Sequence, residues 1–138
     1  MPLPALSFYQ IDYEADPSLL HGTSLRTLSA EEITESAELM LDAARQQNCP
    51  YWLLDGRLHE RPQPRTLHYW MQEEFVPRAW ATLGQQVGVA FLALPTGQQA
   101  LAEQTGTTLQ EWQLPAVRMG WFVDEAAARA WLFRRRVQ

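Results

Sequence analysis

The sequence has 138 residues, of which 46% are hydrophobic and 20% are charged, and its formal net charge is −5. A chain of this length suits one domain with a substantial core, so residues 1–138 are predicted to form a single domain. Residues 1–48 contain eight acids and two arginines (−6), and the remainder contains eight acids and nine arginines (+1), which excludes the concentrated basic face that nucleic-acid binding needs.

Individual residue types exclude several further kinds of site. The single cysteine, Cys49, rules out an intramolecular disulfide and a cysteine-based zinc site. The three histidines, at positions 21, 59 and 68, do not have the spacing of metal ligands, so neither a metal nor a cofactor is expected. There is no apolar run as long as a membrane span and no signal segment at the N-terminus, so we expect a cytoplasmic protein without integral membrane association.

The first half of the chain reads as a hairpin, a helix and a buried strand. Alternation over residues 6–13 predicts an edge strand, which pairs with a second strand within residues 20–28. Ser29 and Glu32 form a capping-box pattern, and apolar residues at helical spacing continue from there to about Gln47. The short apolar run 51–54 then predicts a central strand covered on both faces.

The second half continues the alternation of helices and strands. A helix is predicted over residues 67–83, which Gly84 can terminate, followed by a buried strand over 86–94. A weaker helix is expected over 98–104, irregular chain over 105–114, a strand over 116–123 and a last helix capped by Asp124. The predicted fold is therefore α/β, with a mostly parallel sheet of about five strands, an N-terminal antiparallel hairpin and about four helices.

Three segments carry a family resemblance: Tyr-Trp-Leu-Leu-Asp-Gly-Arg at 51–57, Glu-Phe-Val-Pro-Arg at 74–78, and Phe-Val-Asp-Glu-Ala-Ala-Ala-Arg-Ala-Trp-Leu at 122–132. In combination they resemble the SpoIIAA-like fold of STAS domains, which is related to the SEC14-like lipid-transfer fold, and in particular small bacterial STAS/SEC14-like proteins of the Bacteroidetes type. The resemblance covers most of the chain after residue 25. It implies a fold more than an activity.

In anti-sigma-factor antagonists, the strand that corresponds to 51–54 ends in an Asp-Ser pair, and a partner kinase phosphorylates that serine. Here the strand ends in Asp55-Gly56, and the last serine of the chain is Ser36. Thr66 is the only hydroxyl side chain in the following loop. The resemblance therefore does not predict the same phosphorylation switch.

The loop after this strand is the first candidate site, because open α/β folds place their sites at the carboxyl ends of strands. Its candidate ligand- or partner-binding residues are Asp55, Arg57, His59, Arg61, Arg65 and Thr66. Guanidinium groups beside a helix N-terminus suit a carboxylate or phosphate ligand, and His59 or His68 with Asp55 could act as acid and base. In the alternative interpretation the loop is solvated and its arginines pair locally with Asp55 and Glu60.

The helix predicted over 67–83 is the second candidate, because it has two apolar faces on nearly opposite sides. Leu67, Met71 and Phe75 form one face, and Tyr69, Val76, Trp80 and Leu83 form the other. A dimer or pocket surface is therefore predicted at Tyr69, Trp70, Val76 and Trp80. Alternatively, Pro77 kinks the helix and merges the two faces into one core.

The expected function is a non-enzymatic regulatory or protein-interaction module of STAS-like type, with no catalytic residues. Its partner would be another protein or a second copy of the chain in a homodimer. The alternative is a SEC14-like carrier of a small molecule or lipid, in which tryptophan side chains line an apolar pocket.

Overall fold

The computed structural model describes residues 6–15, 18–57, 70–92, 111–113 and 117–136. Its strands are β1 (Tyr9–Ala15), β2 (Ser18–Ser24), β3 (Tyr51–Asp55), β4 (Val87–Leu92), β5 (Glu111–Gln113) and β6 (Val117–Phe122). Its helices are α1 (Ala30–Gln47), α2 (Val76–Leu83) and α3 (Glu125–Arg136), and a π-helical turn at Met71–Phe75 leads into α2.

The strands form one sheet of six, in the order β1-β2-β3-β4-β6-β5. β2, β3, β4 and β6 are parallel, whereas β1 and β5 pair antiparallel with their neighbours β2 and β6. The α/β class, the mostly parallel sheet and the N-terminal hairpin are thus confirmed.

One expectation about the elements needs correction, and another concerns residues outside the described part of the chain. Residues 111–113 were expected to be irregular but form β5, because their backbone pairs with β6. This three-residue strand has no recognisable alternation, so only the pairing identifies it. The structure describes three helices where about four were expected, and the helix expected over 98–104 lies outside the described residues.

Helix α1 begins and ends where its sequence signals indicated. The Ser29 hydroxyl accepts a hydrogen bond from the backbone N–H of Glu32 at 3.2 Å, and the Glu32 carboxylate accepts one from the backbone N–H of Ser29 at 3.0 Å. Asn48 ends the helix in the left-handed conformation, with φ of 49°. Because both helix termini are capped locally, α1 has the same bounds as the sequence predicted.

The core is divided between the two faces of the sheet. Trp52 and Val89 belong to the larger cluster, which α1 and α2 cover, and their neighbours Leu53 and Ala90 belong to a smaller cluster beneath α3. This alternation follows from the two-residue period of a strand. α3 packs mainly on β3, β4 and β6. On the β1–β2 part of that face Leu19 joins the smaller cluster, and the neighbouring side chains Asp12, Glu14 and His21 are polar.

The π-helical turn before α2 determines whether the two predicted apolar faces of this helix pack into one core. Phe75 and Val76 are both buried, at 4% and 6% exposure, although they are consecutive. Pro77 has no N–H to donate and its ring would collide with the carbonyl of Glu73 in a regular helix, and a wider π turn relieves this conflict. The prediction of Val76 as part of a second, outward surface is therefore wrong: Val76 joins the same core as Phe75.

Candidate functional site

The last residues of β3 form a closed ion pair at the carboxyl edge of the sheet. The Asp55 carboxylate accepts hydrogen bonds from Nε and Nη2 of Arg57, at 3.0 and 2.7 Å, and from the Arg57 backbone N–H at 3.1 Å. The backbone N–H of Gly56 donates to the carbonyl of Leu92 on β4 at 2.8 Å, which fixes the direction of the turn.

This environment determines the charge of Asp55 and what it can do. Burial raises the pKa of its carboxyl, but the hydrogen bonds and the positive charge of Arg57 outweigh burial, so the pKa lies below its usual value. The Asp55 side chain is only 11% exposed, whereas that of Arg57 is 43% exposed. Asp55 is therefore held as a carboxylate that accepts three hydrogen bonds from Arg57, and Arg57 is the partner that faces solvent.

The pair continues into a longer chain of charges, which we call the polar chain: Asp55, Arg57, Glu125, Arg129 and Glu14. Nη2 of Arg57 lies 3.9 Å from a carboxylate oxygen of Glu125 at the start of α3. One turn later, Arg129 donates from Nε to Glu125 at 3.0 Å. Its two Nη atoms donate to the two carboxylate oxygens of Glu14 on β1, at 2.9 and 3.1 Å. The polar chain therefore connects the end of β3, helix α3 and the edge hairpin.

The carboxylate of Glu14 responds to the same contacts. Its pKa lies below the usual value, chiefly because the Arg129 guanidinium donates hydrogen bonds to it. Arg57 and Arg129 thus both donate hydrogen bonds to carboxylates that are themselves members of the polar chain. The arrangement holds α3 against the hairpin.

His21 is the residue of this region that sequence reasoning passed over. It lies on β2 opposite Asp12 on β1 and Leu53 on β3, and its electrostatic interaction with Glu14 and Asp55 is a minor cause of the lowered pKa of these two carboxyls. Its Nε2 is buried and has no hydrogen-bond partner within the described part of the chain. Only the pairing of three strands brings His21 close to these acids. The spacing of these residues in the chain does not predict that they meet.

The remaining residues of the first candidate site lie outside the described residues. These are His59, Arg61, Arg65 and Thr66, together with Glu60 and His68. The structure therefore brings together Asp55 and Arg57, the two described members, and the convergence of the others stays a prediction. Among the described residues, no group of three or more His, Cys, Asp or Glu side chains could hold a metal ion.

The second candidate surface is divided by the structure. Trp70 is partly buried, and its ring lies 5.3 Å from that of Phe75, which in turn meets Trp52 edge-on at 6.1 Å. Val76 is in the core, and Trp80 is 44% exposed. Tyr69 lies outside the described residues. Among the described residues of the predicted surface, Trp80 is thus the one most accessible to a partner.

Helix α2 is held against α1 by charge as well as by apolar packing. The Arg78 guanidinium donates to both carboxylate oxygens of Glu38 on α1 and lies 5.9 Å from the centre of the Phe75 ring. These contacts keep Arg78 on the side of α2 that faces α1. Position 80 is 200° further round a regular helix than position 78, so Trp80 projects from the other flank.

A buried arginine beneath α3 was also missed by the sequence analysis. Arg118 of β6 is 5% exposed, and its guanidinium lies 4.0 Å above the ring of Trp131, which is itself 5% exposed. The alternation of β6 could have indicated it, since position 118 is in phase with Gly120 and Phe122, which face α3. Trp131 is thus part of the smaller core cluster beneath α3.

No family model, curated protein or solved structure matches this chain. No enzyme family or enzyme homologue is therefore found, and nothing in the described residues indicates catalysis. None of the helices in the described ranges is long and apolar enough to cross a membrane.

Proposed function

We propose that this chain is a non-enzymatic regulatory or protein-interaction module of STAS-like type with a SpoIIAA-like fold, acting in the bacterial cytoplasm. The observation that carries the proposal is the exposed indole of Trp80 on a helix whose Val76 and Ala79 side chains are buried in the core. Tryptophan is enriched among the residues that dominate binding energy at protein interfaces. Trp80 is the proposed anchor for the partner.

The sheet supports the fold part of the proposal. β2, β3 and β4 follow one another across the sheet in chain order and are parallel, and α1 and α2 cover the same face. This is the alternation of strand and helix that the family resemblance implies.

The carboxyl edge of the sheet supplies the second part of the proposed partner surface. Leu25 and Val123 follow the ends of β2 and β6, and they are 43% and 47% exposed. Arg57 lies between them, at the end of β3, with its guanidinium partly in solvent. An edge with apolar side chains around a charged pair suits a protein surface better than a small reactive substrate. His59, Arg61, Arg65 and Thr66, which follow Arg57 in the sequence, are the further candidate residues for binding this partner.

The alternative function is a carrier of a small apolar molecule or lipid, and one observation favours it. Phe91 of β4 and Trp121 of β6 are paired in register and stack with ring centroids 5.4 Å apart and planes 11° from parallel. Both rings are only partly buried although they belong to the α1–α2 face. A flat apolar ligand could lie on such a pair, as bases and other rings do on aromatic side chains.

The experiment that tests the proposed function compares three forms of the tagged protein in its native cells: wild type, Trp80→Ala and Thr82→Ala. Thr82 is an exposed neighbour on α2 and provides the matched control. We expect a protein that co-purifies with wild type and the control but is lost with Trp80→Ala. The purified pair should then bind at least ~30-fold more weakly after Trp80→Ala, the effect of removing an anchor worth about 2 kcal/mol.

Native mass spectrometry of the purified protein separates the alternatives. A bare dimer that Trp80→Ala converts to monomer would identify the partner as a second copy of the chain. A monomer with retained extra mass, unchanged by Trp80→Ala, would favour the carrier. A bare monomer whose captured proteins are the same for all three forms would refute the interaction module built on Trp80.

A further inference from the structure

We draw no further inference here: the strongest candidate, the polar part of the sheet face around His21 beside α3, is an acidic cluster whose carboxylates Glu14 and Asp55 already bind Arg129 and Arg57, and nothing in the described residues shows what would cover it.

Discussion

The edge hairpin depends on a glycine that leaves space for a buried ring, and this contact yields a sharp prediction. A Cβ added at Gly22 on β2 would lie 2.2 Å from the hydroxyl oxygen of Tyr9 and 2.8 Å from the ring carbon that carries it. In real proteins a Cβ atom essentially never lies this close to a side-chain atom of another residue. The Tyr9 ring must therefore move. Tyr9 is 6% exposed and sits within the larger core cluster, so the ring cannot move without disturbing its neighbours.

We therefore expect Gly22→Ala to destabilise the protein by about 1–3 kcal/mol, the usual cost of overpacking a core. For a domain of this size, that corresponds to a fall in Tm of roughly 3–12 °C. Gly56→Ala is the matched control, because among the described residues its Cβ would meet only the carbonyl oxygen of Leu92, at 3.4 Å. It should change the free energy of unfolding by less than about 0.5 kcal/mol.

Urea denaturation followed by circular dichroism measures these differences, and a double-mutant cycle with Tyr9→Leu tests their cause. If the Tyr9 ring is what the new methyl group meets, Gly22→Ala should cost much less in the Tyr9→Leu background. An equal cost in both backgrounds, or no cost at all in the wild-type background, would refute the reasoning.

Three further predictions follow from the described contacts. Asp55→Asn should lower the free energy of unfolding at pH 7. Because Arg57 lowers the pKa of Asp55 in the folded state, this difference from wild type should shrink as the pH falls below ~4. A difference that stays constant with pH in urea titrations would contradict the pairing. Trp131→Ala should lower the free energy of unfolding by about 3–5 kcal/mol, whereas Trp80→Ala should leave the thermal midpoint nearly unchanged. Equal shifts of the thermal midpoint for the two variants would show that the assigned burial is wrong. Ser29→Ala should lower the free energy of unfolding by ~1 kcal/mol through loss of the cap of α1, and an unchanged denaturation midpoint would exclude this role.

The elements that the sequence predicted well are those whose signals are local. The capping box at Ser29 and the run of apolar residues at helical spacing define α1 without reference to the rest of the chain. The apolar run at 51–54 identified β3, and the structure extends that strand by one residue, to Asp55. Of the two interpretations of the following loop, the pairing of Asp55 with Arg57 agrees with the alternative one, and the two residues lie two positions apart in the same turn.

Where tertiary packing competes with helix periodicity, the sequence analysis left two alternatives. Regular spacing places Phe75 and Val76 100° apart, yet the π turn before α2 brings both into one core. Pro77 was the signal for a disturbed helix, but its effect on the helix phase depends on how the following turn packs on the sheet. The merged core is correct for Val76, and the outward position is correct for Trp80.

By itself, therefore, the sequence determined the α/β class, the N-terminal hairpin and the capped helix, because each rests on residues near one another in the chain. It left the ion pair at the end of β3 as one of two interpretations. Only the tertiary structure decided the pairing of β5, the polar chain from Asp55 to Glu14, and the place of His21 beside its acids. Glu14 and Arg129 are 115 residues apart and meet only because the sheet and α3 bring them together. Such contacts leave no periodic trace in the sequence, since they depend on strand order and on which face of the sheet a helix covers.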